Sequence, residues 1–223
     1  MRYHNIRHAL FLDRPNRFIA HVMLEGNMET VHVKNTGRCR ELLLPGAKVL
    51  LEGSDNPNRS TRFDLVTVWK EGLGWVNIDS QAPNKIALEW LRQQGYDLIR
   101  PEYTYGSSRI DFYMEKMEQG VLHRILMEVK GCTLEIGGMG YFPDAPTERG
   151  LKHLRELTEA VKQGYEGILC FVIQMEGITR VLPNSETHAA FKEALEEAQK
   201  AGVKILYLPC SVKEDEVIVR DMG

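Results

Sequence analysis

Asp111, Glu128 and Lys130 have the residue types and spacing to hold a divalent cation beside a phosphodiester. Asp111 sits in Arg109-Ile110-Asp111-Phe112-Tyr113, which reads as a strand. Glu128 and Lys130 stand two residues apart at the end of the next strand and so project from one face. Ile110, Phe112, Met127 and Val129 then fall on the opposite face, free to pack under a helix. Two carboxylates and an ammonium would thus meet at one sheet edge. Carboxylate oxygens suit Mg²⁺ or Mn²⁺, which keep waters for chemistry, and a lysine can orient the attacking water and offset transition-state charge. A Glu-x-Lys on a strand is also an ordinary solvated pair. This one is the only Asp/Glu-x-Lys in the chain, and it follows one strand after an Asp.

Other segments could meet a phosphate. In Thr147-Glu148-Arg149-Gly150, Thr147 can cap a helix and Glu148 suits its positive end, whereas Arg149 and Lys152 oppose the dipole unless an anion binds there. Arg155 continues that stripe, with His153 beside it. In Asn35-Thr36-Gly37-Arg38-Cys39-Arg40, Arg38 and Arg40 follow a glycine on a loop, and Arg59 and Arg62 would extend a basic rim. Each set can equally be structural or solvated. Glu89, Glu102 and Gln174 are further candidates for the carboxylate site, while His21 and His32 lack an evident acidic partner. Trp69, Trp75 and Tyr105 could stack on bases or belong to the core.

The elements that must position these residues change character part-way along the chain. From Arg17 to Ile78 the pattern is short and β-like: Phe18, Ala20, Val22 and Leu24 alternate, and Val31 and Val33 repeat this after Glu25-Gly26-Asn27. Lys48–Leu51, Asp64–Trp69 and Trp75–Ile78 follow, and Arg38–Leu44 reads as a helical turn. About five strands in this stretch predict a small antiparallel OB-like barrel over residues 1–80. From residue 81 the order is helix (capped by Asn84, ending at Gly95), strands Leu98–Tyr105, Arg109–Met114 and Leu122–Lys130, helix Thr147–Gln163, strand Gly167–Gln174, helix Asn184–Ala201 and strand Val203–Leu208. This predicts a mixed α/β domain over 81–223, so the chain is α/β in its second part and α+β overall.

Bulk composition fits an ordinary globular protein: 43% hydrophobic, 26% charged, net charge −3. Residues 1–80 carry a net of +2 and the remainder −5, a basic part for phosphates and an acidic part for cations. The four cysteines form no Cys-x-x-Cys pair, and the first residues lack a signal-peptide core. The most apolar run, Ile168 to Ile173, is too short to span a bilayer, so a cytoplasmic protein with no membrane association is expected.

Asn35-Thr-Gly-Arg38, Glu41-Leu-Leu-Leu-Pro-Gly46, Tyr105-Gly-Ser-Ser-Arg-Ile-Asp-Phe112, Glu128-Val-Lys130 and Phe142-Pro-Asp-Ala-Pro-Thr-Glu-Arg-Gly150 occur in an order that resembles the sugar fermentation stimulation protein A family. The resemblance runs from about residue 10 to 208. It implies an OB-like domain followed by a domain of the PD-(D/E)xK nuclease type, DNA binding with little sequence preference, and a regulatory link to sugar (maltose) use. It places the nuclease motif on Asp111, Glu128 and Lys130, adds Glu89 from the first helix, and makes the Val129 carbonyl the third metal ligand. Cys39 departs from the Met expected after Gly-Arg, and Ser-Arg-Ile-Asp replaces Pro-Asp. Three functions follow as expectations: a Mg²⁺- or Mn²⁺-dependent nuclease, a DNA-binding regulatory or accessory protein that does not cut, or an RNA-binding or RNA-processing protein. With no recognition helix evident after the last long helix, nonspecific binding is favoured over sequence-specific regulation.

Overall fold

The computed structural model describes residues 1–35, 37–106 and 108–220. Thr36 and Ser107, which fall in two of the motifs above, lie outside the described residues, as do 221–223. Strands β1 (Ile6–Asn16), β2 (Ile19–Leu24), β3 (Asn27–Val33), β4 (Lys48–Gly53), β5 (Phe63–Lys70) and β6 (Gly74–Asn77) form the first sheet. A short parallel pairing, His32 with Asp64 and Val33 with Leu65, joins β3 to β5 and closes the ring β1-β2-β3-β5-β4 into an OB barrel, with β6 appended outside β5. Ala20, Val22 and Leu24 point inward as the alternation predicts. Glu25 and Gly26 both take positive φ (51° and 82°), the backbone that a two-residue hairpin turn requires.

One expectation for this region is corrected. The barrel gains strand β1 ahead of the expected strands; Ala9 and Phe11 are buried and Leu10 exposed in regular alternation, but bulges between Phe11 and Asn16 break the period beyond that point. Arg38–Leu44 is the expected single helical turn, closed on the Cys39 carbonyl, which accepts from the N–H groups of Leu42 and Leu43, and Pro45-Gly46 ends it.

The second sheet follows α1 (Ala82–Leu91). It contains β7 (Leu98–Tyr105), β8 (Ser108–Glu118) and β9 (Val121–Cys132). A small three-stranded sheet is built from β10 (Leu134–Ile136), β11 (Met139–Phe142) and, later, β13 (Val181–Pro183). Between them come α2 (Glu148–Lys162) and β12 (Glu166–Ile173), then α3 (Ala189–Ala201), β14 (Lys204–Val212) and β15 (Val217–Val219). The order is β15-β14-β12-β9-β8-β7, with β9, β12 and β14 parallel and the rest antiparallel. Helix α1 covers one face through Ile86, Ala87 and Leu91 against Met127, Val129 and Cys170. Helix α2 covers the other through Leu151, Leu154 and Leu157, side chains whose burial is worth on the order of 2 kcal/mol each. Helix α1 starts and ends about three residues earlier than expected, with Gln81 at its N-cap position making no side-chain capping bond; Asn84 lies inside it and turns its amide to other use. Helix α3 starts at Ala189, later than its amphipathic pattern suggested. All four cysteines are free and buried. Among the described residues no helix is long and apolar enough to cross a membrane.

Barrel and second sheet are bound by a buried polar seam. The Asn77 amide donates to the Tyr3 hydroxyl (2.9 Å), the Val66 carbonyl (2.9 Å) and Thr67 (3.2 Å), and its Oδ1 accepts from Gln174 Nε2 (2.6 Å). Gln174 Nε2 also reaches the Asp79 carbonyl at 3.1 Å, and Lys34 Nζ lies 3.1 Å from the Asp79 carboxylate. Gln174 therefore joins the two sheets and does not serve the carboxylate site. Asn77 is fully buried, so removing its amide strands several polar groups. Asn77→Ala should destabilise the chain by about 3 kcal/mol, read as a lower urea midpoint at unchanged slope.

Candidate active site

The β8–β9 ladder runs from Glu118–Val121 to Phe112–Met127 and stops there. Beyond that point β8 pairs only with β7 (Ile110 with Tyr103, Arg109 with Thr104), while β9 pairs only with β12 (Glu128 with Leu169, Lys130 with Phe171). The strands fork between Asp111 and Glu128. Asp111 spans the fork, and its Oδ2 accepts the Val129 N–H at 2.7 Å in place of a strand carbonyl. Its Oδ1 accepts from Asn84 Nδ2 of α1 at 2.8 Å. A strand residue offers its N–H and C=O to the same side, so the Val129 carbonyl opens on the fork too. The expected sheet edge is thus a gap between two interior strands.

Glu128 lies on the α2 face and is almost wholly buried. Its Oε1 takes hydrogen bonds from Lys130 Nζ (2.5 Å) and from the buried His153 Nδ1, while Oε2 is buried without a partner among the described residues. Burial alone would raise its pKa. The His153 hydrogen bond and the Lys130 charge outweigh that and hold Glu128 below the usual glutamate value. Asp111 moves the other way: burial and then the nearby Glu128 charge raise its carboxyl, against the Val129 and Asn84 hydrogen bonds. The two acids are close enough to interact, yet differ in proton affinity. Their oxygens and the Val129 carbonyl are the hard donors that Mg²⁺, Mn²⁺ or Ca²⁺ takes, and the orphaned Glu128 oxygen gives such an ion a ligand it need not compete for. Among the described residues no three His, Cys, Asp or Glu side chains gather as a fuller cluster.

Several expected residues go elsewhere. Glu89 stands five residues along α1 from Asn84, on another side of the helix, and pairs with the Met1 amino group at 2.5 Å. Asn84, not Glu89, is what α1 supplies to Asp111. Glu102, at φ 54°, turns out to Arg109 (3.0 Å). Ile110 joins the α2-side core while Phe112 joins the α1 side, so the strand does not keep the strict alternation assumed. His153, placed by the sequence only beside the basic stripe of α2, turns inward and bonds Glu128, a role that sequence reasoning missed. Its signal was its place among the apolar positions of α2, Leu151, Leu154 and Leu157.

Of the basic residues, Arg38 and Arg40 are exposed and line a cleft of about 440 Å³ with Arg14 and Arg17. Arg14 fixes that loop by donating to the carbonyls of Asn35 (2.6 Å), Gly37 (2.8 Å) and Arg38 (2.9 Å). Arg149 is exposed on α2, and Lys152 lies 3.7 Å from Glu156. Thr147 caps α2 by accepting the Gly150 N–H at 3.0 Å. The basic rim loses Arg59 and Arg62, which pair with Asp64 and Glu29. His21 and His32 do have acidic partners, Asp13 and Asp64. Trp69 and Trp75 pack edge to face at 5.1 Å, with Trp69 partly exposed.

Residues 12–78 match the family model described as the SfsA N-terminal OB domain, and residues 81–216 match the sugar fermentation stimulation protein RE domain. The chain belongs to the sugar fermentation stimulation protein family. A homolog of that name from Alkaliphilus oremlandii is 50% identical over 99% of this chain and 97% of its own length. Another from Desulfitobacterium hafniense (strain Y51) is 52% identical over 99% and 96%. The structure of Pyrococcus furiosus SfsA in complex with Ca²⁺ superposes with a TM-score of 0.84 at 27% identity, covering 99% of this chain and 95% of that one.

The buried pairing of Glu128 gives a stability test independent of activity. Glu128→Ala leaves the Lys130 ammonium and His153 without their acceptor and should cost about 3 kcal/mol. Glu128→Gln, which keeps an acceptor oxygen, should cost less in the same denaturation measurement.

Proposed function

We propose that this protein binds nucleic acid, DNA first, with little sequence preference, and that the β8–β9 fork is a divalent-metal phosphodiesterase site. The observation that carries the reading is the fork itself: where the sheet parts, Asp111 accepts the Val129 N–H, and Glu128, the residue before Val129, accepts from the Lys130 ammonium. The Ca²⁺ complex of the Pyrococcus relative supports a divalent cation in this family. A bound Mg²⁺ or Mn²⁺ would supply an acidified water and neutralise phosphate charge. Asp111 and Glu128 would hold the ion. Asn84 fixes the Asp111 carboxylate, His153 fixes Glu128, and Lys130 stands ready to exchange its Glu128 bond for a phosphate oxygen or the attacking water. Arg38 and Arg40 on the barrel and Arg149 on α2 give the backbone phosphates their contacts, and Lys152 serves once it leaves Glu156.

A second reading has its own support. Lys130 and His153 already satisfy one Glu128 oxygen, and Asn84 and Val129 satisfy Asp111, so the acids are held without any cation. That suits a DNA-binding regulatory protein that does not cut. Purified protein incubated with single-stranded, duplex and branched DNA and with RNA, under Mg²⁺, Mn²⁺ or EDTA, separates the two. The nuclease reading expects metal-dependent cleavage that falls at least about 100-fold in both Asp111→Ala and Lys130→Ala. Binding without cleavage under every metal leaves the regulatory reading.

Affinity should fall steeply with salt, and Arg38→Ala or Arg40→Ala should each lower the slope of log K against log salt by about one. A flat salt response would count against nucleic acid altogether.

A further inference from the structure

A cavity of about 360 Å³ opens beside the fork, within the size range of small-ligand sites, roughly 300–1,000 Å³. Two of its walls are immediate chain neighbours of the candidate site: Pro83 precedes Asn84, and Gly131 follows Lys130. A strand whose phosphate lay at Lys130 would therefore have the cavity next to it. The remaining walls come from both halves of the chain, because Gly37 of the barrel abuts Asp144 of the loop that enters α2. That approach is tight. A Cβ on Gly37 would come 2.7 Å from Asp144 Oδ2, and one on Gly131 would come 2.8 Å from Pro83 Cγ. Glycine at both positions keeps the cavity open.

The chemistry of the lining is selective. Among the described residues Asp144 is the sole charged side chain of the lining, an exposed carboxylate that also accepts backbone N–H groups of its own loop. Ser80, Thr133, Tyr141 and Thr147 add hydroxyls that can donate or accept. Gln174 is 2% exposed and spends both of its side-chain hydrogen bonds through Nε2, to Asn77 and Asp79, which leaves Oε1 as an acceptor on the Gly131 side. Flat apolar surface comes from Tyr141, Phe142, Pro83 and Pro146. The groups of the lining that can only accept, the Asp144 carboxylate and Gln174 Oε1, with flat walls around them, suit a planar ligand that presents donors along one edge. Among the four DNA bases, only guanine offers two adjacent donors, N1–H and the N2 amine, to match the two oxygens of one carboxylate. Adenine and cytosine each set an acceptor nitrogen beside a single amine. Thymine flanks its one N–H with carbonyls that the Asp144 charge repels.

We infer that this cavity receives one unstacked guanine base, held edge-on by Asp144 between the Pro83 and Pro146 sides, next to the phosphate contacted at the fork. Taking a base out of the stack into a fitted pocket is how proteins read a single nucleotide without a recognition helix. The inference rests on the nucleic-acid reading above and adds a one-base preference to otherwise nonspecific binding. The same edge exists on a free guanine nucleotide, so the test includes both sources.

Fluorescence anisotropy in EDTA compares the full chain binding oligo-dT with the same strand carrying one central dG or one central dA. The dG strand should bind about tenfold more tightly than either of the others, and Asp144→Asn should bring the dG-to-dT ratio to about one. Equal affinity for the three strands, or a dG preference that survives Asp144→Asn, overturns the pocket while leaving nonspecific binding intact. If none of the strands binds, the nucleic-acid reading fails and calorimetry with GMP decides. One-to-one binding lost in Asp144→Asn keeps the guanine site, and the absence of binding removes it.

Discussion

The seam through Asn77, Gln174 and Asp79 is the constraint on which the relative placement of everything else rests. Each buried amide or carboxylate in it would cost about 1–3 kcal/mol if left without a partner, and Gln174 carries the seam across the boundary between barrel and second sheet by donating to Asn77 and to the Asp79 carbonyl. Apolar surfaces could slide over one another by an ångström at little cost, whereas these directional bonds permit one arrangement. That arrangement sets the start of α1 against β9, which delivers the Asn84 amide to Asp111. It also brings Gly37 against Asp144. The core follows the same logic, since buried side chains of the barrel run without a break into those under α2 and α3.

At the fork a second constraint operates. A strand that leaves its neighbour exposes an amide, and Val129 would be such an orphan but for the Asp111 carboxylate. The same side chain that repairs the ladder also sets a charge beside Glu128. Two buried acids at close range raise each other's proton affinity unless cations intervene. Here Lys130 and His153 both bond Glu128, while Asp111 feels Lys130 only through its charge, and the pair is split accordingly. Structural repair and chemical potential therefore reside in the same atoms. This is why a well-formed site of this kind serves both a cutting and a non-cutting reading.

Much of this was legible in the chain. The alternation of Ala20, Val22 and Leu24, the Glu25-Gly26 turn, the exact span of β7 and the Thr147 cap of α2 are local features, decided by side-chain period and backbone preference within a few residues. The spacing of Glu128 and Lys130 guaranteed a shared face once β9 formed. Strand β1 was missed because its bulges break the period beyond Phe11. Strands β10, β11, β13 and β15 are three or four residues long, too short for periodicity to show.

The sequence by itself determined the residue types at the site, the barrel-then-α/β order and the family, because these depend on composition, period and motif order along the chain. Tertiary structure alone decided which acids meet and what surrounds them. It turned Glu89 toward Met1, and it chose Asn84 and His153 as the partners of Asp111 and Glu128. The physical reason is that the partner of a charged or polar side chain is set by packing between elements far apart in the chain. Glu128 and His153 are 25 residues apart, and Asn77 and Gln174 are 97 apart. No local pattern carries that information.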